Sequence, residues 1–308
     1  MQTNRIKRKM DQAVKQIGVI TVRGPDYHPT RRLSIAAQER GCRILPIHPY
    51  TVWPFIEDGR PVLLGDPIAR CLDAVMPRQG AEIRDACLPL IGHLERMGVP
   101  VINSQKAVEL ARHKFFTLQT VAAAGLPVVP TIFAPAMEGL RQALAGFGDA
   151  GAVVKPVSGR QGGGVSRLRP GDAPSPQVVS ELDQGRGILV QQYIDPAGRR
   201  DLRVLIIGGH AAAAMSLSPA EGDFRANFYL GGRAQAVDPG PDIVAMAERA
   251  AGCLGLQIAG VDLMIDAAGR AYVNEVNYAP GFRALEAATG RDIAGAMIDY
   301  VLRVIEDH

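Results

Sequence analysis

Three oxygen-bearing side chains sit inside apolar, strand-like sequence: Asp262 in GVDLMID, and Glu275 and Asn277 in YVNEVNYAPG. Residues two apart on a strand point to the same face, so Glu275 and Asn277 point together, and a neighbouring strand can set Asp262 beside them. Two carboxylates and an amide in such a setting carry a heavy desolvation cost unless a cation joins them. Hard cations such as Mg²⁺ take oxygen ligands. Two adjacent strands around a cation would satisfy this pattern, and a Mg²⁺ site serving a nucleotide is the first reading.

The rest of the chain sets the frame for that site. Its 308 residues suffice for two or three domains, and 47% hydrophobic with 21% charged residues is globular composition. A net charge of +3 does not suggest a dedicated nucleic-acid binder, whereas anionic small substrates remain compatible with it. Cys42, Cys71, Cys87 and Cys253 form no CxxC pair and have no zinc-like His spacing, which fits a reduced cytoplasmic protein. No apolar run reaches membrane-spanning length, so no membrane association is expected. The basic start, Arg5 to Lys9, lacks the apolar core of a signal peptide and reads as a solvated terminus.

Hydrophobic patterning predicts a strand over 17–22, a helix over 31–40 and a strand over 43–47, the strand–helix–strand order of a parallel, doubly wound sheet. A hairpin turns at Asp58-Gly59. A strand at 73–77, a helix at 82–97 and a strand at 100–102 complete a small α/β domain over residues 1–105. Beyond it the pattern gives a helix over 114–124 and strands over 128–133, 152–157 and 165–168, with a helix over 135–145 between the first two. Strands at 187–194, 202–207 and 210–217, a helix at 243–254, the strands bearing the oxygen ligands and a last helix at 293–305 follow.

AVVKPVSGRQGGGV delivers Lys155 at the end of a strand and follows it with Gly162, Gly163 and Gly164. Glycines let backbone N–H groups approach a phosphate, and the lysine adds a point charge. The segment is neither a Walker loop nor a Rossmann fingerprint, and by itself it reads equally well as a surface hairpin. The strand Gln191-Gln192-Tyr193-Ile194 could offer backbone groups to an adenine edge, or be an ordinary core strand. Asp201-Leu202-Arg203 puts an acid and an arginine on one strand face, and Arg225-Ala226-Asn227 adds a second arginine and an amide. Such arginines could hold phosphoryl oxygens or a carboxylate, or form solvated ion pairs. The six histidines show no metal-ligand spacing, and no GxSxG elbow occurs.

The order of these pieces is more specific than any one of them. It runs Lys114, Lys155 with its glycine loop, QQYI, DLR, RAN, Asp262, then Glu275 and Asn277. The chain resembles the ATP-grasp superfamily, and its RimK-like glutamate ligases in particular. MPRQGAEI, NSQKAVELARHKFFTLQTVAAAGLPVVPT, EGDFRANFYLGG and LEAATGRDIA carry that likeness. The resemblance implies an α/β (α+β) ATP-grasp fold preceded by a small doubly wound α/β domain. Its parts would be a pre-ATP-grasp domain over 1–105, a central subdomain over 106–186 and a C-terminal subdomain with the metal site over 187–308.

It also implies roles. Lys114, Lys155 and the glycines Gly162, Gly163 and Gly164 match positions that hold nucleotide phosphates. Gln191, Gln192, Tyr193, Ile194 and Asp201 fall on the nucleotide side. Asp262, Glu275 and Asn277 match the ligands of Mg²⁺, with Mn²⁺ as an alternative. Arg203, Arg225 and Asn227 match positions near the reacting phosphate and carboxylate, and Arg78, Tyr278 and Arg283 lie on the acceptor side. The chain departs from relatives at Arg160, where threonine is frequent, at Tyr278-Ala279, where two small serines are common, and at Arg283, where an acid is common. Acceptor identity is therefore not carried over.

The implied activity is an ATP-dependent carboxylate–amine ligation through an acyl phosphate. L-Glutamate is the expected amine, and a pterin- or deazaflavin-type coenzyme tail or a protein C-terminus the acceptor. The alternatives are an amino-acid ligase acting on a carrier protein in lysine or arginine biosynthesis, an ATP-grasp kinase, and a non-catalytic nucleotide-binding protein. A homo-oligomer, dimer or tetramer, is the expected assembly.

Overall fold

A computed structural model describes residues 14–67, 71–78, 87–158, 163–226 and 231–308. The basic start, Arg160, Gly162, Asn227 and most of the MPRQGAEI segment lie outside the described residues. The chain divides into two compact units, one formed by the described residues of 1–79, 85–102 and 294–308, the other by 103–293.

In the first unit, β1 (Gln16–Ile20), α1 (His28–Glu39), β2 (Arg43–Ile47), a hairpin of β3 (Val52–Glu57) and β4 (Arg60–Gly65), β5 (Ala74–Pro77) and α2 (Cys87–Arg96) follow in order. β1 lies between β2 and β5, parallel to both. Ile17, Val19 and Ile20 on this central strand are fully buried, as the continuous apolar run of a sheet covered on both faces requires. The hairpin turns through Asp58 and Gly59, both at positive φ, the two-residue turn that an Asp-Gly pair favours. Pro100–Ile102, expected as a strand, supplies a single parallel bridge from Val101 to Val75.

The C-terminal helix, Ile293–Asp307, clusters with this unit from Ala294 onward, although the order of the sequence sets it after the oxygen-ligand strands. Ala294, Met297, Ile298 and Val301 recur at helical spacing and are fully buried. Arg40 at the end of α1 grips Asp299 through two hydrogen bonds, 2.6 and 3.1 Å.

The second unit opens with α3 (Gln105–Arg112), capped by the Ser104 hydroxyl, which accepts from the Ala107 N–H. α4 (Lys114–Ala123), β6 (Thr131–Ala134), α5 (Met137–Phe147), β7 (Ala152–Pro156), β8 (Ser166–Leu168), α6 (Pro176–Asp183) and β9 (Ile188–Gln192) follow. Next come β10 (Arg200–Ile207), β11 (His210–Ser218), β12 (Arg233–Ala236), α7 (Pro241–Cys253), β13 (Ile258–Ile265), β14 (Ala271–Asn277) and α8 (Arg283–Thr289). The first four strands form an antiparallel sheet in the order β6-β9-β7-β8, and the rest form another in the order β12-β11-β10-β13-β14. Among the described helices none is long and apolar enough to cross a membrane.

Strand alternation decides what the first of these sheets does. Ala152, Val154, Ile188 and Val190 enter one core with Leu140, Leu144, Val178 and Leu182 of α5 and α6. Val157 and Leu189 face the other way, onto Leu118 of α4. Lys155 and Gln191 share that second face by the two-residue period.

Candidate active site

Asp262 and Glu275 are register partners on β13 and β14, so their carboxylates stand side by side on one sheet face. The ladder shifts between Asp262 and Leu263: Leu263 pairs Val273, which leaves Asn274 as an extra residue in β14. Asn277, two residues beyond Glu275, pairs with Gly260 and donates its Nδ2 to Asp262 Oδ2 at 3.3 Å. A side chain at Gly260 would not fit, because its Cβ would lie 2.9 Å from Pro280 Cβ. The glycine thus lets the chain after Asn277 fold back over β13.

Three basic side chains close on this pair. Arg203 on β10 is the register partner of Asp262 on its other flank, and donates Nε to Oδ1 at 2.6 Å and a second guanidinium nitrogen to Oδ2 at 2.7 Å. Lys114 Nζ lies 3.2 Å from Glu275 Oε1. Its helix is fixed at both ends: the Lys114 N–H donates to Val157 O at 2.9 Å, and the chain after it meets β14 through an isolated parallel bridge between Val128 and Val273. Lys155, 5% exposed, donates to Gln191 Oε1 at 3.0 Å and to Asn274 Oδ1 at 3.4 Å. Gln191 in turn donates to the Thr131 hydroxyl at 3.0 Å. The bulge residue Asn274 and Thr131 thus belong to the site although no sequence signal marked them.

The electrostatics follow from burial. Burial pushes the Lys155 ammonium down to about 8, against the attraction of Glu275 and with the repulsion of Lys114. Burial would raise Glu275, but Lys114, Lys155 and Arg203 outweigh it and hold the carboxyl below its usual range. Asp262 stays raised by burial even with a bidentate guanidinium beside it, so one more cation would relieve it. The donor set fits a hard cation: two carboxylates and an amide, all offering oxygen. Asp262, Glu275 and Asn277 are the residues that would hold Mg²⁺. Lys114, Lys155 and Arg203 against Asp262 and Glu275 leave a surplus of one positive charge, which suits a polyphosphate.

The other expected residues are distributed differently. The backbone of β9 is bonded on both sides, by β6 and β7, and the Gln192 N–H donates to Pro130 O. β9 is an inner strand, and the Gln191 side chain accepts from Lys155. Tyr193 is buried under the Arg167 guanidinium, 3.5 Å from its ring centre. The Ile194 carbonyl accepts from Arg199 at 2.7 Å, and Asp201 is bonded to the same Arg199 at 2.9 Å.

Arg225 closes on Asp223 two residues before it, and that hydrogen bond lowers the Asp223 carboxyl. Gly163 and Gly164 form the turn before β8, and Gly164 adopts φ +72°, open to glycine without strain. Tyr278 is buried, and its carbonyl accepts from Asn103 Nδ2 at 2.9 Å. Arg283 is the exposed first residue of α8. Arg78, in the other unit, is buried after β5, and its N–H donates to Ile20 O.

Comparison with solved structures gives the class of fold. The RimK-domain ATP-grasp protein of Sphaerobacter thermophilus superposes with a TM-score of 0.71 at 24% identity, over 93% of this chain and 99% of its own. The ATP-grasp ligase PsnB, solved with a phosphomimetic variant of its minimal precursor, Mg and ADP, gives 0.72 at 22%, over 96% and 100%. The fold is ATP-grasp. A family model described as a RimK-like ATP-grasp domain matches residues 111–301, and one described as a RimK PreATP-grasp domain matches 16–108. The chain belongs to the RimK-like ATP-grasp family. A probable alpha-L-glutamate ligase of Teredinibacter turnerae is 33% identical over 290 residues, 94% of this chain and 96% of that protein. Another, of Syntrophotalea carbinolica, is 34% identical over 295 residues, 95% and 96% respectively.

Proposed function

We propose that this chain is an ADP-forming carboxylate–amine ligase that adds L-glutamate to a carboxylate acceptor, a coenzyme tail or a protein C-terminus. The observation that carries the reading is the register pair Asp262–Glu275 closed in by Lys114, Lys155 and Arg203, an arrangement suited to a polyphosphate and to charge that moves during phosphoryl transfer. The alpha-L-glutamate ligase relatives, at 33–34% identity over nearly the whole chain, support glutamate as the amine.

An acceptor carboxylate oxygen attacks the γ-phosphorus of ATP, the bond to the β-phosphate oxygen breaks, and ADP leaves with that electron pair. The amine nitrogen then attacks the acyl carbon, loses a proton, and phosphate departs with the former carboxylate oxygen. Lys114 and Lys155 hold phosphate oxygens, and Arg203 stabilises the charge that collects on the acyl phosphate. Mg²⁺, when held by Asp262, Glu275 and Asn277, supplies charge neutralisation at the phosphates.

The test is product analysis by mass spectrometry with ATP, L-glutamate and a panel of carboxylate acceptors, peptides with free C-termini included. The expected result is acceptor-dependent ADP and phosphate with a product heavier by one glutamate residue. AMP and pyrophosphate would overturn the acyl-phosphate route, and turnover without any amine would favour a kinase.

A further inference from the structure

We infer that Arg199 is a positioning residue: it locks the segment bearing Arg225 to the chain leaving the nucleotide-side strand β9. The functional half of this inference rests on the ligase reading, and the structural half does not.

Arg199 precedes β10, and its side chain is only 3% exposed. A guanidinium that deep requires partners for its whole fork. It has three, from three separate stretches of chain. Nε donates to Asp201 Oδ2 at 2.9 Å, one terminal nitrogen to the Ile194 carbonyl at 2.7 Å, and the other to the Phe224 carbonyl at 2.8 Å. Ile194 lies three residues past Gln191, the acceptor of Lys155. Phe224 immediately precedes Arg225. One rigid planar group thus fixes the distance between the backbone that follows the Lys155 partner and the backbone that carries the second arginine.

A parallel tie runs between the same two stretches. The Tyr193 ring meets the Phe224 ring nearly edge-on at 6.1 Å. The other side of Tyr193 is covered by Arg167 of β8, which is itself anchored on the Ala150 carbonyl at 2.9 and 3.2 Å. Asp201 is the counterion of this fork: it is 11% exposed, burial raises its carboxyl, and Arg199 offsets that rise. Asp201 thus acts through Arg199. A lysine at 199 would keep a charge near Asp201 but could not present three donors in one plane.

The test is hydrogen exchange with mass spectrometry on the full chain, comparing wild type with Arg199→Lys and Asp201→Asn. In Arg199→Lys the amides of residues 221–226 should exchange about tenfold faster or more, while those of β13 and β14 stay within about twofold. Asp201→Asn should loosen the same segment to a smaller degree. Unchanged exchange at 221–226 would overturn the inference, and so would a rise shared equally by β10 to β14, the mark of general destabilisation. In the ligase assay, Arg199→Lys should lower kcat about tenfold while KM for ATP moves less than about threefold. A loss confined to KM for ATP would count against a link to Arg225. Absence of turnover in wild type with every acceptor would sink the ligase reading alone, since the exchange pattern decides the role of Arg199 independently.

Discussion

Arg203 and Asp262 stand directly opposite one another on β10 and β13, and the guanidinium grips both carboxylate oxygens at 2.6 and 2.7 Å. The pairing fixes the carboxylate that would hold the metal and the arginine that would face the acyl phosphate as one rigid body. A lysine reaches one oxygen at most and brings no fork. Arg203→Lys is therefore expected to lower kcat/KM about a hundredfold while ADP affinity changes only a few-fold. Steady-state kinetics with calorimetric ADP binding checks this, and a variant with near-normal kcat removes Arg203 from the chemistry.

Glu275→Gln keeps the shape of the side chain and removes the charge that answers Lys114 at 3.2 Å. The amide still offers an oxygen, but a weaker one to a hard cation, and Lys114 loses its counterion. Turnover should fall by about a hundredfold or more, with the Mg²⁺ concentration needed for half-maximal activity rising. The melting temperature should move by only a few degrees, because the lost attraction to Lys114 is offset by the smaller cost of burying a neutral amide. Near-normal activity in this variant would exclude Glu275 from the metal site.

Much of this arrangement was legible in the sequence, for physical reasons that can be named. Asp262, Glu275 and Asn277 share a face because strand alternation is strict, and their cost in apolar sequence announces a site. The bulge at Asn274 hides from the same logic: one extra residue breaks the period locally and turns that amide toward Lys155. The helices α3, α6 and α8, of 7 to 8 residues, were not read, since two turns carry too little periodic signal. In the structure the hydroxyls of Ser104 and Ser175 cap the first two. Arg199 and Asn103 act through backbone carbonyls and N–H groups distant in sequence, which no side-chain pattern records. The ladders on both edges of β9 are set by strand order, which a linear reading does not fix.

Lys155 is expected to make nucleotide binding depend on pH. Its ammonium faces Gln191 and Asn274 as acceptors, with Glu275, Asp262 and Lys114 acting on it through space, and burial lowers it from 10.5 to about 8. Between those values the unfolded chain binds more protons than the folded one, so this group's contribution to stability rises with pH across that window. Phosphate favours the charged form and pulls the value back up. Binding of ADP with Mg²⁺ at pH 8.5 should therefore take up a fraction of a proton, and none near pH 6.5. Calorimetry in buffers of different ionisation enthalpy measures the uptake, and Lys155→Met should abolish it. Equal proton uptake in Lys155→Met would assign the titration to another group.

Asn103 sets the strand that carries Asp262 against the chain that follows Asn277. Its Nδ2 donates to the Ile258 and Tyr278 carbonyls at 2.7 and 2.9 Å, and its Oδ1 accepts from the Gln257 and Ile258 N–H groups at 2.7 and 2.9 Å. The residue is 1% exposed, so water cannot replace these partners without rearrangement. Asn103→Ala should cost roughly 2–4 kcal/mol, because it leaves several buried backbone groups unsatisfied. Asn103→Asp keeps the acceptor but turns a charged oxygen toward two carbonyl oxygens, and should destabilise at least as much at neutral pH. Protonation restores a donor on that oxygen, so the aspartate variant should recover part of its loss, relative to wild type, as the pH falls toward the carboxylate range. Denaturant titrations at pH 7 and pH 5 separate the two variants. An aspartate variant as stable as wild type at pH 7 would show that the Tyr278 and Ile258 carbonyls do not depend on the Asn103 amide.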